Sequence, residues 1–249
     1  MTEAIPPFLV KSLRAARSVA VLTGAGVSAE SELPTFRDAM TGLWAQYLPE
    51  DLATPEAFRR DPRLVWEWYR WRRALAAQAA PNPAHLALAE MGRRVPRLTL
   101  ITQNVDGLHQ RAGSRNVIEL HGNVSRTKCF RENVAVEGWD ETGDVPPRCP
   151  RCGGLLRPDV VWFGESLPPQ ALEAAAEAAE GCDVFLSVGT SGLVEPAASL
   201  LGLAAGRGAT TALFNLKPTG QSSLVDFSIN GPAGRTLPAL LMAAWPEGD

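Results

Sequence analysis

Two hydrophobic rhythms alternate along the chain. Short, continuous apolar runs that stop at glycine or a polar residue predict buried parallel strands at 18–23 (SVAVLT), 98–102, 116–120, 183–188 and 210–215. Between them the spacing predicts helices over 55–80 with a break near Asp61-Pro62, over 83–92 with Asn82 placed as its cap, and over 168–180 and 195–206. The C-terminal TLPALLMAAW predicts a closing helix. Strands alternating with helices imply an α/β fold, a parallel sheet with helices on both faces. From 124 to 157 the rhythm fails: three cysteines and several prolines and glycines replace the apolar runs, as expected of a small inserted module.

Composition changes this picture little. The chain has 249 residues, 45% apolar and 20% charged, enough for one large α/β domain carrying an insertion. Its formal net charge of -3 supplies no global basic field, so neither nucleic acid nor a membrane surface is an expected partner. The opening MTEAIPPFLVKSLRAARS lacks the basic start, apolar run and small-residue cleavage site of a signal peptide, and no long uncharged apolar stretch follows. A cytoplasmic protein is expected. Four cysteines in a chain of this size do not make a disulfide scaffold.

The candidate chemistry gathers at strand ends. Gly24-Ala25-Gly26-Val27-Ser28-Ala29 satisfies G-x-G-x-x-G/A directly after a strand, where small residues let the backbone approach a pyrophosphate and a following helix N-terminus would face its charge. A tight turn serving only packing has the same sequence. The acidic ribose partner expected about 20 residues on is not convincing, because Glu50 and Asp51 sit in a proline-bounded loop. A dinucleotide would therefore not be held in the ordinary dehydrogenase manner. Thr102-Gln103-Asn104-Val105-Asp106-Gly107 follows the second strand, and reads either as ligand-binding polar groups or as a turn capped by Asn and Asp. His121 follows the third strand and is the imidazole best placed for a general base, whereas His85 and His109 read as structural. Gly189-Thr190-Ser191 and Asn215-Leu216-Lys217 decorate two later strand ends. Cys129-x2-Glu132-x16-Cys149-x2-Cys152 has nearly the spacing of a structural zinc site, with glutamate at the second position. It reads either as Zn2+ on three thiolates plus a carboxylate or water, or as a ribbon held by packing alone. Cys182 reads as a small core residue.

Taken in order, GAGVSAES (24–31), PTFR (34–37), TQNVDGLHQRAG (102–113), IELHGN (118–123), CPRC (149–152), RPDVVWFGE (157–165), VGTSGLVEPA (188–197) and NLK (215–217) resemble the sirtuins over nearly the whole chain. The resemblance implies a Rossmann-like NAD-binding domain (1–40, 81–123 and 158–249) and a small domain from a helical insertion (41–80) and a zinc-ribbon-like insertion (124–157). It implies an enzyme that consumes NAD to remove acyl groups from lysine side chains of proteins or peptides, releasing nicotinamide and O-acyl-ADP-ribose. It assigns catalytic roles to His121 and Asn104, with His121 taking a proton from a ribose hydroxyl after nicotinamide leaves. Gly24, Ala25, Gly26, Phe36, Arg37, Gln103, Asn104 and Asp106 would hold the nicotinamide and ribose. Gly189, Thr190, Ser191, Asn215, Lys217 and Ala233 would hold the adenosine half. Val160, Trp162, Phe163, Gly164 and Glu165 would receive the substrate peptide as an added strand. Cys129, Cys149 and Cys152 would hold zinc. Two departures stand out: Glu32-Leu33 where the family usually has Gly-Ile, and Glu132 in place of a zinc cysteine.

Tyr69 and Arg72 lie three apart on a helix face and resemble the Tyr-x-x-Arg pair of the sirtuin branch that prefers acidic acyl chains. An arginine fork and a phenol suit the carboxylate of succinyl or malonyl lysine, and Ala53 fits the small residue that branch needs for a longer chain. Deacetylation would then be a secondary activity. The alternative for this helix is an amphipathic face packed by Trp66, Trp68 and Trp71, with Arg72 solvated. Two other functions share an NAD site: ADP-ribosyl transfer to a protein side chain, and an NAD-sensing scaffold without turnover.

Overall fold

A computed structural model of the chain describes residues 5–33, 44, 46–140 and 143–246. In chain order its elements are α1 (Pro7–Ala15), β1 (Ser18–Thr23), two 3-10 turns (Ala25–Val27 and Ala29–Ser31), α2 (Pro49–Leu52), α3 (Pro55–Arg60), α4 (Pro62–Gln78), α5 (Pro83–Arg94), β2 (Arg97–Thr102), α6 (Leu108–Arg111), β3 (Val117–Glu119), β4 (Gly122–Cys129), β5 (Leu156–Val160), α7 (Pro169–Glu180), β6 (Val184–Val188), α8 (Ser199–Gly206), β7 (Thr210–Asn215), β8 (Phe227–Asn230) and α9 (Ala233–Ala244).

Six strands pair in parallel in the order β3-β2-β1-β6-β7-β8. This is the Rossmann order, reversing direction of travel between β1 and β6, where open α/β sheets leave a binding crevice. The register aligns the carboxyl ends, since Glu119 lies opposite Thr102, Thr102 opposite Thr23, Thr23 opposite Val188, and Val188 opposite Phe214. Residues that follow each strand therefore meet along one edge.

The period-two alternation of β1 divides the core between the sheet's two faces. Val19 and Val21 join Leu9, Leu13, Leu88, Met91, Leu237 and Leu240 from α1, α5 and α9 on one face. Ala20 and Leu22 join Ala175, Ala179, Leu200 and Leu201 from α7 and α8 on the other. A third apolar cluster lies away from this sheet, built by Phe58, Val65, Trp68 and Tyr69 of α3 and α4 with Val160 and Trp162. The break at Asp61-Pro62 is a change of helix, because Asp61 Oδ1 accepts from Leu64 N at 3.0 Å and caps α4. Strands β4 and β5 pair antiparallel. Among the described residues, no helix is long and apolar enough to cross a membrane.

Three features differ from the sequence expectations. Among the described residues, no α-helix follows the glycine loop directly; two single 3-10 turns stand at 25–27 and 29–31. Helix α8 starts at Ser199 rather than 195, because Glu195 Oε2 accepts from Ser199 N (3.2 Å) and Oγ (2.7 Å) and serves as its first-turn acceptor. Strand β8 was unforeseen: in FSIN only Ile229 is buried, so an edge strand leaves no apolar run.

Candidate active site at the carboxyl edge of the sheet

At the crevice between β1 and β6 two glycine loops lie backbone against backbone. Gly26 N donates to Gly189 O at 2.8 Å, and Gly24 N to Val188 O at 3.1 Å. A Cβ on Gly26 would stand 2.7 Å from Gly189 Cα, and one on Gly189, whose φ is +61°, 2.4 Å from Val27 N. Side chains are excluded there, which leaves main chain and small residues to meet a dinucleotide. Glu32 takes φ +59°, left-handed backbone that favours glycine. Phe36 and Arg37 lie outside the described residues.

Hydrogen bonds then stitch the strand ends together. Gln103 N donates to Thr23 O (3.0 Å) and its Nε2 to Thr190 Oγ1 (3.1 Å), while Asn215 Nδ2 donates to Thr190 O (2.9 Å). Asn104 Nδ2 reaches Gly24 O (3.1 Å) and Ser28 Oγ (3.0 Å). His121 joins the same chain, its Nδ1 lying 2.9 Å from Gln103 O. A carbonyl only accepts, so Nδ1 carries the proton and Nε2 is left as the basic nitrogen. Burial lowers the imidazole below its usual 6.5, against the opposing pull of the Gln103 carbonyl. His121 is therefore neutral, and competent as a base, at neutral pH. Expected in consequence is a kcat/KM whose acid limb, where the imidazole protonates, is centred below pH 6.5. A pH–rate profile checks this; an acid limb centred above pH 6.5 would contradict it.

The other two histidines are buried behind this edge. His85 Nδ1 accepts from Asn82 N (3.3 Å), so its Nε2 donates toward Ser28 Oγ (3.4 Å), and Ser28 Oγ donates to Asp106 Oδ2 (2.8 Å). Burial, partly opposed by Asp106, lowers His85 to about 4. Burial and His85 lower His109 to about 3, and its Nε2 lies 2.9 Å from Thr23 Oγ1. Both are therefore neutral near pH 7. Sequence reasoning did not connect Ser28, His85 and Thr23 to the site; the only hint was their place inside or beside motifs. Glu50 and Asp51 lie in helix α2 rather than in a loop, because Pro49 opens a helical turn there, and Asp51 pairs with Arg60 at 2.7 Å.

The segment after β5 is rigidly held. Arg157, 2% exposed, donates to both carboxylate oxygens of Glu165 (2.5 and 2.9 Å) and to Val160 O (2.7 Å), and its guanidinium stacks 3.2 Å from the Trp162 ring centroid. Burial opposes ionisation of Glu165, but Arg157 and the Trp162 N–H outweigh it and hold the carboxyl below its usual range. Val161 N bonds to His121 O and Phe163 N to Ala53 O, each at 2.9 Å. Trp162 is buried and Phe163 is 54% exposed, so of the residues assigned to the peptide, Trp162 and Glu165 turn inward. Gly164 has φ +85°. A groove of about 610 Å³, lined in part by Arg59, Lys128, Phe130 and Glu165, runs beside the segment.

Tyr69 and Arg72 face this region from α4. The Tyr69 ring lies 6.2 Å from Trp162, and burial pushes its phenol well above its usual value, so it remains a protonated donor. Arg72 is half-buried with its guanidinium 6.0 Å from the Trp68 ring, and its charge interacts with Tyr69 and Asp106. Helix α4 thus carries its cation to the loop that bears Gln103, Asn104 and Asp106. Lys217 is exposed, and Ala233 opens α9, where Gly234 N donates to Glu30 Oε1 at 2.8 Å.

The cysteines form a cluster in the inserted module. The ligand atoms of Cys129, Glu132, Cys149 and Cys152 all lie within 4.8 Å of one another, and the Cys129 and Cys152 sulfurs are 3.5 Å apart. That spacing is close to the edge of a zinc–thiolate tetrahedron with bonds of about 2.3 Å, so these residues fit a structural Zn2+. Cys182 stands apart, its thiol pushed up to about 11 by burial and bonded to Ala179 O at 3.2 Å.

Residues 24–196 match the Sir2 family. A chain named NAD-dependent protein deacylase from Ralstonia nicotianae is 56% identical over 233 residues, covering 92% of this chain and 93% of that one. Among solved structures, a Sir2 homolog–NAD complex aligns with a TM-score of 0.90 at 44% identity, covering 98% of this chain and 95% of the other. A Sir2 protein bound to a myristoylated histone peptide aligns with a TM-score of 0.76 at 36% identity, covering 96% and 95%.

Proposed function

The chain belongs to the Sir2 family, and from that premise we propose that it is an NAD-dependent protein lysine deacylase that prefers acidic acyl chains such as succinyl and malonyl. The observation that carries the catalytic reading is the Nδ1–H bond from His121 to Gln103 O, which leaves Nε2 as a neutral base at the edge where the glycine loops meet.

Gly24, Ala25, Gly26, Gln103, Asn104 and Asp106 would hold the nicotinamide half of NAD, with Phe36 and Arg37 completing the ribose side. Gly189, Thr190, Ser191, Asn215, Lys217 and Ala233 would hold the adenosine half. Bound there, NAD supplies an electrophilic ribose carbon, and the acyl oxygen of the modified lysine is the nucleophile. Asn104, fixed by Gly24 O and Ser28 Oγ, keeps the reacting groups in place. His121 would accept a ribose hydroxyl proton at Nε2, freeing that oxygen to attack the acyl carbon. One water then adds to that carbon, its bond to the lysine nitrogen breaks, and the free amine leaves while the acyl group stays on the ribose. The helical and zinc-ribbon-like modules, 41–80 and 124–157, would form the second wall of the cleft and exclude water.

The peptide would lie along 160–165. The N–H groups of Val161, Trp162, Phe163 and Glu165 are already bonded within the chain, so its backbone would be read through carbonyls and Gly164, with Phe163 giving an apolar contact. Backbone reading tolerates many sequences, which suits a range of acylated proteins. Tyr69 and Arg72 would select the acyl chain: a protonated phenol and a half-buried guanidinium match a terminal carboxylate. Cys129, Cys149 and Cys152 would hold Zn2+ as a structural ion. The four cysteines are unpaired, in keeping with action in the reducing cytoplasm.

The test is one peptide carrying acetyl, malonyl or succinyl lysine, incubated with NAD and followed by mass spectrometry. Free lysine, nicotinamide and O-acyl-ADP-ribose are expected, with kcat/KM for the acidic chains higher by about tenfold or more, the worth of a charge-assisted hydrogen bond. A persistent ADP-ribose adduct on protein would instead identify a transferase, and NAD binding without nicotinamide release a non-catalytic sensor.

A further inference from the structure

The metal cluster is built from two copies of one turn, 129–134 and 149–154. In each, the N–H of the leading cysteine donates to the carbonyl five residues on: Cys129 to Val134 at 2.9 Å, Cys149 to Gly154 at 2.7 Å. In each, its carbonyl accepts from the N–H four residues on, Asn133 and Gly153, both at 2.9 Å. That residue is left-handed in both copies, with φ +52° at Asn133 and +71° at Gly153. An antiparallel bridge closes each turn at the same offset, Lys128 with Ala135 and Arg148 with Leu155. Even the central arginines reciprocate: Arg131 Nη1 donates to Cys152 O at 3.0 Å, and Arg151 Nε lies 3.6 Å from Glu132 Oε2. By this repeat, Glu132 occupies in the first turn the place that Cys152 occupies in the second.

We infer that Glu132 is the fourth ligand of a mixed Cys3Glu zinc centre, and that its carboxylate side is where the metal enters and leaves. The backbone of the first turn has the form that aims the ligand in the second, and the carboxylate oxygen lies within 4.8 Å of all three sulfurs. Arg151 sits beside Oε2, which favours binding through a single oxygen. Cys129 and Cys149 are buried whereas Glu132 is exposed, so the oxygen edge is the side open to solvent. A hard oxygen in a soft thiolate set makes this edge the weakest bond of the four. The centre therefore releases zinc faster than a four-thiolate site in the same frame would. The inference is independent of the catalytic reading, since it concerns only metal and the turns that hold it.

The test compares the full-length protein with Glu132→Ala, Glu132→Gln and Glu132→Cys, loaded with Zn2+ or Co2+. The Co2+ form of the natural chain should show tetrahedral visible bands, with thiolate-to-metal absorption that rises by about a third in E132C as three sulfurs become four. Zinc transfer to a coloured chelator should be about tenfold or more faster in E132A and E132Q, and slower in E132C. If E132A and E132Q match the natural chain in spectrum and release rate, Glu132 is not a ligand. If the natural chain takes up neither ion while E132C does, the mixed centre is equally overturned. The E132C comparison stands even if removing the carboxylate prevents folding.

Discussion

Replacing His121 with alanine is expected to lower deacylation turnover by about 10²–10⁴-fold, the usual contribution of a positioned general base. The variant should still fold. The ring's bond to Gln103 O is a single neutral hydrogen bond, worth about 0.5–1.5 kcal/mol. NAD should still bind, because the glycine loops and the Gln103–Thr190–Asn215 bonds do not pass through the imidazole. The measurement is single-turnover kinetics beside an NAD titration and a melting curve. A folded, NAD-binding H121A protein with unchanged turnover would remove His121 from the mechanism. Neither His85 nor His109 could take its place, since both are buried behind the edge and engaged there, His85 by Asn82 N and His109 by Thr23 Oγ1.

Arg72→Met should cut kcat/KM for succinyl and malonyl peptides by about 10- to 100-fold, through loss of a charge-assisted pair of roughly 1.5–3 kcal/mol. Deacetylation of the same peptide should change by no more than about twofold, because an acetyl group has no carboxylate to lose its partner. Methionine keeps much of the length of the arginine stem and gives up the guanidinium that lies 6.0 Å from the Trp68 ring. The paired measurement on one peptide separates acyl recognition from general damage. Desuccinylation left intact would end the assignment of Arg72 as the carboxylate clamp. Equal losses on all three acyl groups would point instead to a disturbed neighbouring loop, where the Arg72 charge meets that of Asp106.

Much of the frame was legible because its determinants are local. The strand at 18–23 carries four consecutive apolar residues, 19–22, and all six of its residues are buried. Asn82 announces α5, and its side chain accepts from Ala84 N as a cap should. Where the determinants are not local, the reading stopped short. The 3-10 turns after Gly24 stand where Gly26 packs against Gly189, which is 163 residues further along the chain. Trp162 and Glu165 read as peptide contacts in a line of motif, but Arg157 draws both inward by stacking on one and forking to the other.

By itself, then, the sequence determined which residues end each strand, the family resemblance and the residue types on offer for catalysis, cofactor and metal. Periodicity, breakers and spacing are properties of neighbours along the chain, and they survive in the letters alone. The tertiary structure decided which strand ends meet, through the order β3-β2-β1-β6-β7-β8 and a register that aligns their carboxyl ends. It also decided the tautomer of His121, which depends on a carbonyl delivered by the adjacent strand's loop. Spacing alone aligned Glu132 with Cys152; the tertiary structure decided that the two turns share one hydrogen-bond pattern and bring their ligand atoms within 4.8 Å of one another. Contacts between distant segments set proton positions and ligand geometry, and no local pattern encodes them.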